Sequence, residues 1–299
     1  MIDNLIQEGI ISAENIDALQ NMAEQSNRRV VFIDATFTLP TSTEDIRQNF
    51  IDMRLPNAAL FDIKKIKDNT SPLPHMLPSH KVFATAVSAM GIRNDDIIVT
   101  YGQHGMIMGP ARAWWMFRGF GHTNVLVLNG GLPAWQKGAF KTQSGQPSPV
   151  PPAQYTAQPF KTTMLSNIND VMNASEDKVC PILDARPPAR FNGSAAEPRA
   201  GMRSGHIPNS INTPAKSFVN EHGLMKSKND VKQIIQNTGI DVRKNTQRII
   251  VSCGSGITAC ALSLALHYIG HDNVSVYDGS WSEWGLKSSE TEVLTIKSS

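Results

Sequence analysis

The chain has 299 residues, 40% of them apolar and 18% charged, which is enough for one large core or, at ordinary domain size, two. Its 28 basic and 26 acidic residues leave a net charge of +2, with no like-charge run beyond pairs such as Lys64-Lys65. That excludes the electrostatic footprint of a nucleic-acid or membrane-surface binder and leaves small-molecule or protein partners.

The opening MIDNLIQEGI has neither the basic flank nor the apolar block of a secretion signal. No later stretch reaches the roughly 18 uninterrupted apolar residues of a spanning helix. A cytoplasmic location is expected.

In chain order, short β-branched runs predict strands at VVFID (30 to 34), IIVTY (97 to 101) and NVLVLN (124 to 129), with a helix over ARAWWMFRGFG (111 to 121). That aromatic stretch reads as a packed helix and not as a cofactor-binding element. QSGQPSPVPPAQ (143 to 154) follows, and its four prolines can neither continue a helix nor pair as a central strand. It marks a linker. Beyond it the pattern recurs: strands are expected at VCPILD (179 to 184), RIIVSC (248 to 253) and NVSVYD (273 to 278), and a helix over TACALSLALHYIG (258 to 270) with Gly270 as its C-cap.

The recurrence is one of sequence as well as pattern. HTNVLVLNGGLPAW (122 to 135) aligns without a gap on HDNVSVYDGSWSEW (271 to 284). VFIDAT (31 to 36) parallels PILDAR (181 to 186), RLPNAA (54 to 59) parallels HIPNSI (206 to 211), and IIVTY parallels IIVSC. Four segments in register imply a duplicated domain: 1 to 142, a linker over 143 to 160, and 161 to 299. Apolar runs alternating with helices predict an α/β fold with a parallel sheet in each copy, covered by helices on both faces. Ligands bind such sheets outside the carboxyl ends of the strands.

Cys180, Cys253 and Cys260 form no C-x-x-C pair, so neither a disulfide framework nor a zinc site is expected. Cys253 stands apart from the other two. It is the first loop residue after a strand, and Gly254 and Gly256 permit backbone conformations in which successive N–H groups turn inward before a helix N-terminus. Such a cradle favours a thiolate nucleophile and would stabilise an anionic persulfide. The alternative, a buried cysteine packed as a small hydrophobe, is the reading for Cys180 and Cys260, which lack the glycines. Cysteine phosphatases share the strand–cysteine–helix arrangement but need an arginine at the far end of the loop, where this chain has Ala259. Gly254-x-Gly256 is too short a pattern for a dinucleotide site.

IIVSCGSGITA, GHIPNSIN, YDGSWSEW and the duplicated layout resemble the two-domain sulfurtransferases of the rhodanese family over nearly the whole chain. Within that family a loop of the form C-R-K-G-V-T marks thiosulfate sulfurtransferases and C-G-[ST]-G-V-T marks the 3-mercaptopyruvate branch. Cys253-Gly254-Ser255-Gly256-Ile257-Thr258 is similar to the second. A dianionic donor gains from cations inside the loop, whereas a neutral loop suits a donor whose carboxylate lies further out.

The resemblance implies a Cys253 persulfide, formed from 3-mercaptopyruvate with release of pyruvate. Its sulfur would pass to cyanide or to a thiol such as thioredoxin or a low-molecular-weight thiol, with no cofactor and no metal. It implies that Arg190 and Arg199 clamp the substrate carboxylate, as arginine's planar fork suits; the alternative is loop arginines paired with Glu197 or Asp184. Arg203 falls outside the motif and reads as structural. It implies that Ser255 donates to the ketone or shuttles a proton, assisted by His75 from the other domain; the alternative for His75 is a surface side chain. Lys64 stands where the family has an acidic residue, and neither Asp62 nor Asp68 matches that position, which puts a full Asp-His-Ser relay in doubt. The first copy has Tyr101-Gly102-Gln103-His104 in place of the cysteine loop and is expected to be non-catalytic. The rivals are thiosulfate as donor and a rhodanese-type module that binds or relays sulfur without turnover.

Overall fold

The computed structural model describes residues 2–39, 41–178, 180–242 and 246–296. Val179, at the head of the expected VCPILD strand, lies outside them. The chain forms two compact units: Met1–Asn69, Leu77–Lys161 and Glu221–Met225 make the first, and Thr70–Met76, Thr162–Asn220 and Lys226–Ser299 make the second. Each half therefore contributes a short segment to the other half's unit.

In the first unit the strands are β1 (Ile10–Ile11), β2 (Val30–Asp34), β3 (Ala59–Leu60), β4 (Ile97–Tyr101) and β5 (Val125–Leu128). They form one parallel sheet in the order β1-β5-β4-β2-β3. One face carries Phe32, Val99, Tyr101, Leu126 and Leu128 into a cluster with Ile16, Leu19, Phe50 and Trp135. On the other lies the helix Met108–Gly119, whose Pro110 carbonyl accepts a hydrogen bond from Thr100 Oγ1. Both faces are covered, so β4 is buried along its whole length. Residues 155 to 161, at the end of the expected linker, pack on this unit. Phe160 lies 4.6 Å from Trp115 and 5.1 Å from Phe120, and Tyr155 stacks on His122 at 5.8 Å.

The second unit repeats the plan with β6 (Leu165–Ser166), β7 (Ile182–Asp184), β8 (Ser210–Asn212), β9 (Ile249–Ser252) and β10 (Val274–Tyr277), all parallel, in the order β6-β10-β9-β7-β8. The apolar cluster on one face joins Ile182, Ile250 and Tyr277 to Val171, Trp281 and Trp284. The helix Ala259–Tyr268 follows β9, and Gly270, at φ 88, turns the chain out of it as its position predicted. Strand order reverses between β7 and β9, because the chain leaves β7 toward β8 and returns on the opposite side. The loops after those two strands therefore flank the crevice where α/β sheets hold ligands.

The hydrogen bonds correct one alignment between the copies. Ala35 N–H donates to the Tyr101 carbonyl at 2.9 Å, and its counterpart Ala185 N–H donates to the Ser252 carbonyl at 2.8 Å. Tyr101 thus corresponds to Ser252, and Gly102 to Cys253, one residue away from the match of IIVTY with IIVSC. A strand buried on both faces reads as a continuous apolar run, so a slip of one residue leaves its pattern almost unchanged.

Candidate functional site

β9 delivers Cys253 to the reversal point between β7 and β9, and the loop that follows is anchored on three sides. Cys253 N–H donates to Ser280 Oγ at 3.1 Å; the Cys253 carbonyl accepts from Trp281 N–H at 3.0 Å and the Gly254 carbonyl from Ser282 N–H at 2.9 Å. Ser280 holds this place with a φ of 49 and passes its own hydroxyl proton to the Tyr277 carbonyl at 2.6 Å. Gly256 has a φ of 76, and a Cβ there would stand 2.5 Å from the Asp278 carbonyl, so no other residue closes this turn without moving the chain. Within the described residues, no hydrogen bond engages the N–H of Gly254, Ser255 or Ile257. These donors lie in the loop that leads directly into the helix Ala259–Tyr268.

Cys253 is 2% exposed. Its sulfur is enclosed. Cys260 is buried one helical turn beyond the loop, with its thiol directed at the Gly256 carbonyl. Cys180 is half-buried with its thiol 3.2 Å from the Arg248 carbonyl, and burial pushes its pKa up. A raised pKa keeps it a thiol, as its reading as a structural residue requires.

The loop after β7 brings the arginines. Arg190 lies in the short helix Pro188–Phe191, and its Nη2 is 2.9 Å from where a Cβ on Gly254 would be. A side chain at residue 254 would make the end of Arg190 shift from this position. Arg199 Nη2 is 3.4 Å from Ser255 Oγ. Burial lowers the pKa of Arg199; Cys253 and Glu197 act to raise it, and Arg190 opposes them. An arginine so disposed gains from an anion placed beside it. Arg190 is also paired with Glu197, the partner considered for it as a loop arginine. Arg203 donates to the carbonyls of Trp284 and Thr291, each at 2.6 Å, as a structural residue does.

Three further participants were not among the site residues expected from the sequence. Arg186 is 1% exposed; it forms a bidentate pair with Asp184, bonds Glu197 at 2.9 Å and the Gly205 carbonyl at 2.9 Å, and lies 4.2 Å over the Trp281 ring. Glu197 bridges Arg186 and Arg190. Ser280 ties the Cys253 amide. Asp-x-Arg at the end of an apolar run was the available cue for Arg186. Glu197 entered the sequence reading only as an alternative partner for the loop arginines, and Ser280 lies in a polar stretch where nothing distinguishes it.

His75 belongs to Thr70–Met76, the segment that groups with the second unit, and is half-buried with a φ of 60. Asp62 and Lys64 belong to the first unit, where Arg47 pairs with Asp62 at 3.3 Å and Lys64 Nζ donates to Thr38 Oγ1 at 2.9 Å. The equivalent crevice of the first unit is closed by its own side chains. Gln103 Nε2 donates to Asp34 Oδ2 at 2.6 Å, Gln103 N–H to Thr36 Oγ1 at 2.9 Å, and Thr36 Oγ1 to Asp34 Oδ1 at 2.5 Å.

A rhodanese-like domain model matches residues 15–138 and again 167–287. The 3-mercaptopyruvate sulfurtransferase of Escherichia coli K12 is 39% identical over 259 residues, covering 86% of this chain and 90% of that one. The thiosulfate sulfurtransferase of Gallus gallus is 37% identical over 258 residues, covering 84% and 85%. The crystal structure of SseA from Escherichia coli, reported as a rhodanese fold, superposes with a TM-score of 0.79 at 34% identity over 92% of this chain and 99% of that one.

Proposed function

The chain belongs to the rhodanese family, with one copy of the domain in each half, and from that membership we propose that it is a 3-mercaptopyruvate sulfurtransferase working through Cys253. The observation that carries the reading is the placing of two arginines on one wall of a cysteine loop that has no cation of its own: Arg190 at Gly254 and Arg199 at Ser255. That pattern suits a donor with a carboxylate at one end and a transferable sulfur at the other.

The Cys253 thiolate attacks the thiol sulfur of 3-mercaptopyruvate. A sulfur–sulfur bond forms, the carbon–sulfur bond breaks, and its electron pair leaves on pyruvate as the enolate. Arg190 and Arg199 hold the carboxylate, and the Ser255 hydroxyl, next to Arg199, serves the ketone oxygen and the proton that completes pyruvate. The N–H groups of Gly254, Ser255 and Ile257 are the donors for the persulfide's charge, and Gly256 and Thr258 complete the loop. A thiolate acceptor, from thioredoxin or a small thiol, or cyanide, then takes the outer sulfur and restores the Cys253 thiolate. This is two-step covalent transfer. His75 assists Ser255 in this reading, and with Lys64 tied to Thr38 no acidic partner is assigned to it. Cys253, Cys260 and Cys180 are free thiols, in keeping with work in a reducing cytoplasm.

Intact mass after incubation with 3-mercaptopyruvate tests the reading: a gain of one sulfur with stoichiometric pyruvate supports it. The Cys253→Ser variant is expected to lose both the adduct and turnover, by at least about a thousandfold. Turnover retained by that variant overturns the assignment. A higher kcat/KM for thiosulfate than for 3-mercaptopyruvate replaces the donor, the alternative that the Gallus gallus relative keeps in view.

A further inference from the structure

We propose that Glu197 is the positioning residue for Arg190, fixing which edge of that guanidinium faces the Cys253 loop. The inference rests on the reading of Arg190 as a carboxylate holder. An arginine offers two forked edges to a carboxylate, one from Nε and Nη2 and one from Nη1 and Nη2. Glu197 occupies the first: its Oε1 and Oε2 accept from Arg190 Nε at 3.2 and 3.1 Å, and Oε2 also accepts from Nη2. The second edge is turned to the loop, since a Cβ on Gly254 would lie 2.9 Å from Nη2 and 3.9 Å from Nη1.

Glu197 is itself held. Its side chain is 5% exposed, and Oε1 accepts from Arg186 Nη1 at 2.9 Å. Arg186 is fixed in turn by Asp184 at the end of β7, by the Gly205 carbonyl and by the Trp281 ring. A rigid chain of forked pairs therefore runs from the sheet through Arg186 and Glu197 to Arg190, which is 20% exposed and would otherwise sample many rotamers. Arg190 thus meets the donor with its orientation already set, which lowers the entropic cost of binding. Because the effect acts through Arg190 on a carboxylate that does not react, it belongs in KM and not in kcat.

The test is steady-state kinetics with 3-mercaptopyruvate on wild type, Glu197→Gln, Arg190→Ala and the double variant. Glu197→Gln is expected to raise KM about tenfold with kcat within about twofold, and to change KM by less than about twofold once Arg190 is alanine. A merely structural role would add the same penalty in both backgrounds, and that result overturns the proposal, as does an unchanged KM. Should Glu197→Gln fail to fold, Glu197→Asp replaces it. That variant keeps the charge but cannot span both arginines, and a KM rise of about threefold that vanishes without Arg190 is expected. If Arg190→Ala alone leaves KM unchanged, the carboxylate reading falls first and this proposal with it. If only Arg190→Ala raises KM, the reading stands and Glu197 does not act through Arg190.

Discussion

Gly102 and Cys253 occupy the same place in the two sheets: the Gly102 carbonyl accepts Leu132 N–H at 3.0 Å, and the Cys253 carbonyl accepts Trp281 N–H at 3.0 Å. One copy carries a cysteine at that spot and the other carries no side chain at all. The copies differ further in what stands beside it, since Arg186 and Glu197 line the second crevice and Thr36, Gln103 and Asp34 fill the first.

Restoring a thiol to the first copy is therefore expected to restore nothing. Gly102→Cys in a Cys253→Ser background should show no sulfur adduct by intact mass and no transfer above background. A Cβ at residue 102 would stand 3.0 Å from the Met106 carbonyl, which adds strain to a site without a cationic wall. An adduct on the new thiol would show that position alone confers the chemistry.

Gly256→Ala is expected to lower kcat/KM by about a hundredfold. A left-handed conformation costs a residue with a Cβ about 1–2 kcal/mol, and the collision with the Asp278 carbonyl at 2.5 Å forces the loop to move. The thermal midpoint should fall by only a few degrees. Activity falling far more than stability is the result that checks this, and equal modest losses in both would contradict it.

Arg186→Met should destabilise the second unit. Deleting the shared partner of two buried carboxylates leaves Asp184 without its ion pair and Glu197 with Arg190 alone, at a cost of about 3–5 kcal/mol. Thermal unfolding is expected to drop by on the order of 10 °C. A shift of about one degree would mean that the network contributes little to stability.

His122 should make the first unit acid-sensitive. The ring is 4% exposed; burial pushes its pKa from 6.5 down to about 4, against the weaker opposing influence of Asp96, whose carbonyl is 3.0 Å from Nε2. The unfolded chain then binds the proton more readily than the folded one. The contribution is complete above pH 6.5 and is lost as pH falls toward about 4, to a total of about 3 kcal/mol. Urea unfolding between pH 7 and 4.5 on wild type and His122→Asn checks it: the variant should show a shallower loss. Identical slopes would remove His122 as the cause.

Much of this was legible from residues alone. The duplicated α/β plan followed from alternating apolar runs and helices, and the helix Ala259–Tyr268 with Gly270 beyond it from helical spacing and a glycine stop. The Cys253 loop was legible because Gly256 has a conformational reason to be there, a φ of 76, whereas Gly254 takes no left-handed conformation. Resemblance supplied Arg190 and Arg199, and the structure put them beside Gly254 and Ser255. What escaped was relational. Glu197 acts by standing between two arginines that come from different turns of one loop, and no local pattern encodes that. The one-residue offset of β4 against β9 escaped because both faces of those strands are apolar. The grouping of Glu221–Met225 with the first unit escaped because a segment of that length carries no signature of which core it joins.

Cys253 is 2% exposed, so its thiol meets little dissolved peroxide and is shielded from over-oxidation between turnovers of the proposed reaction. On the proposed function, the acceptor is therefore expected to be slender: a small ion, a low-molecular-weight thiol, or a cysteine borne on a projecting loop.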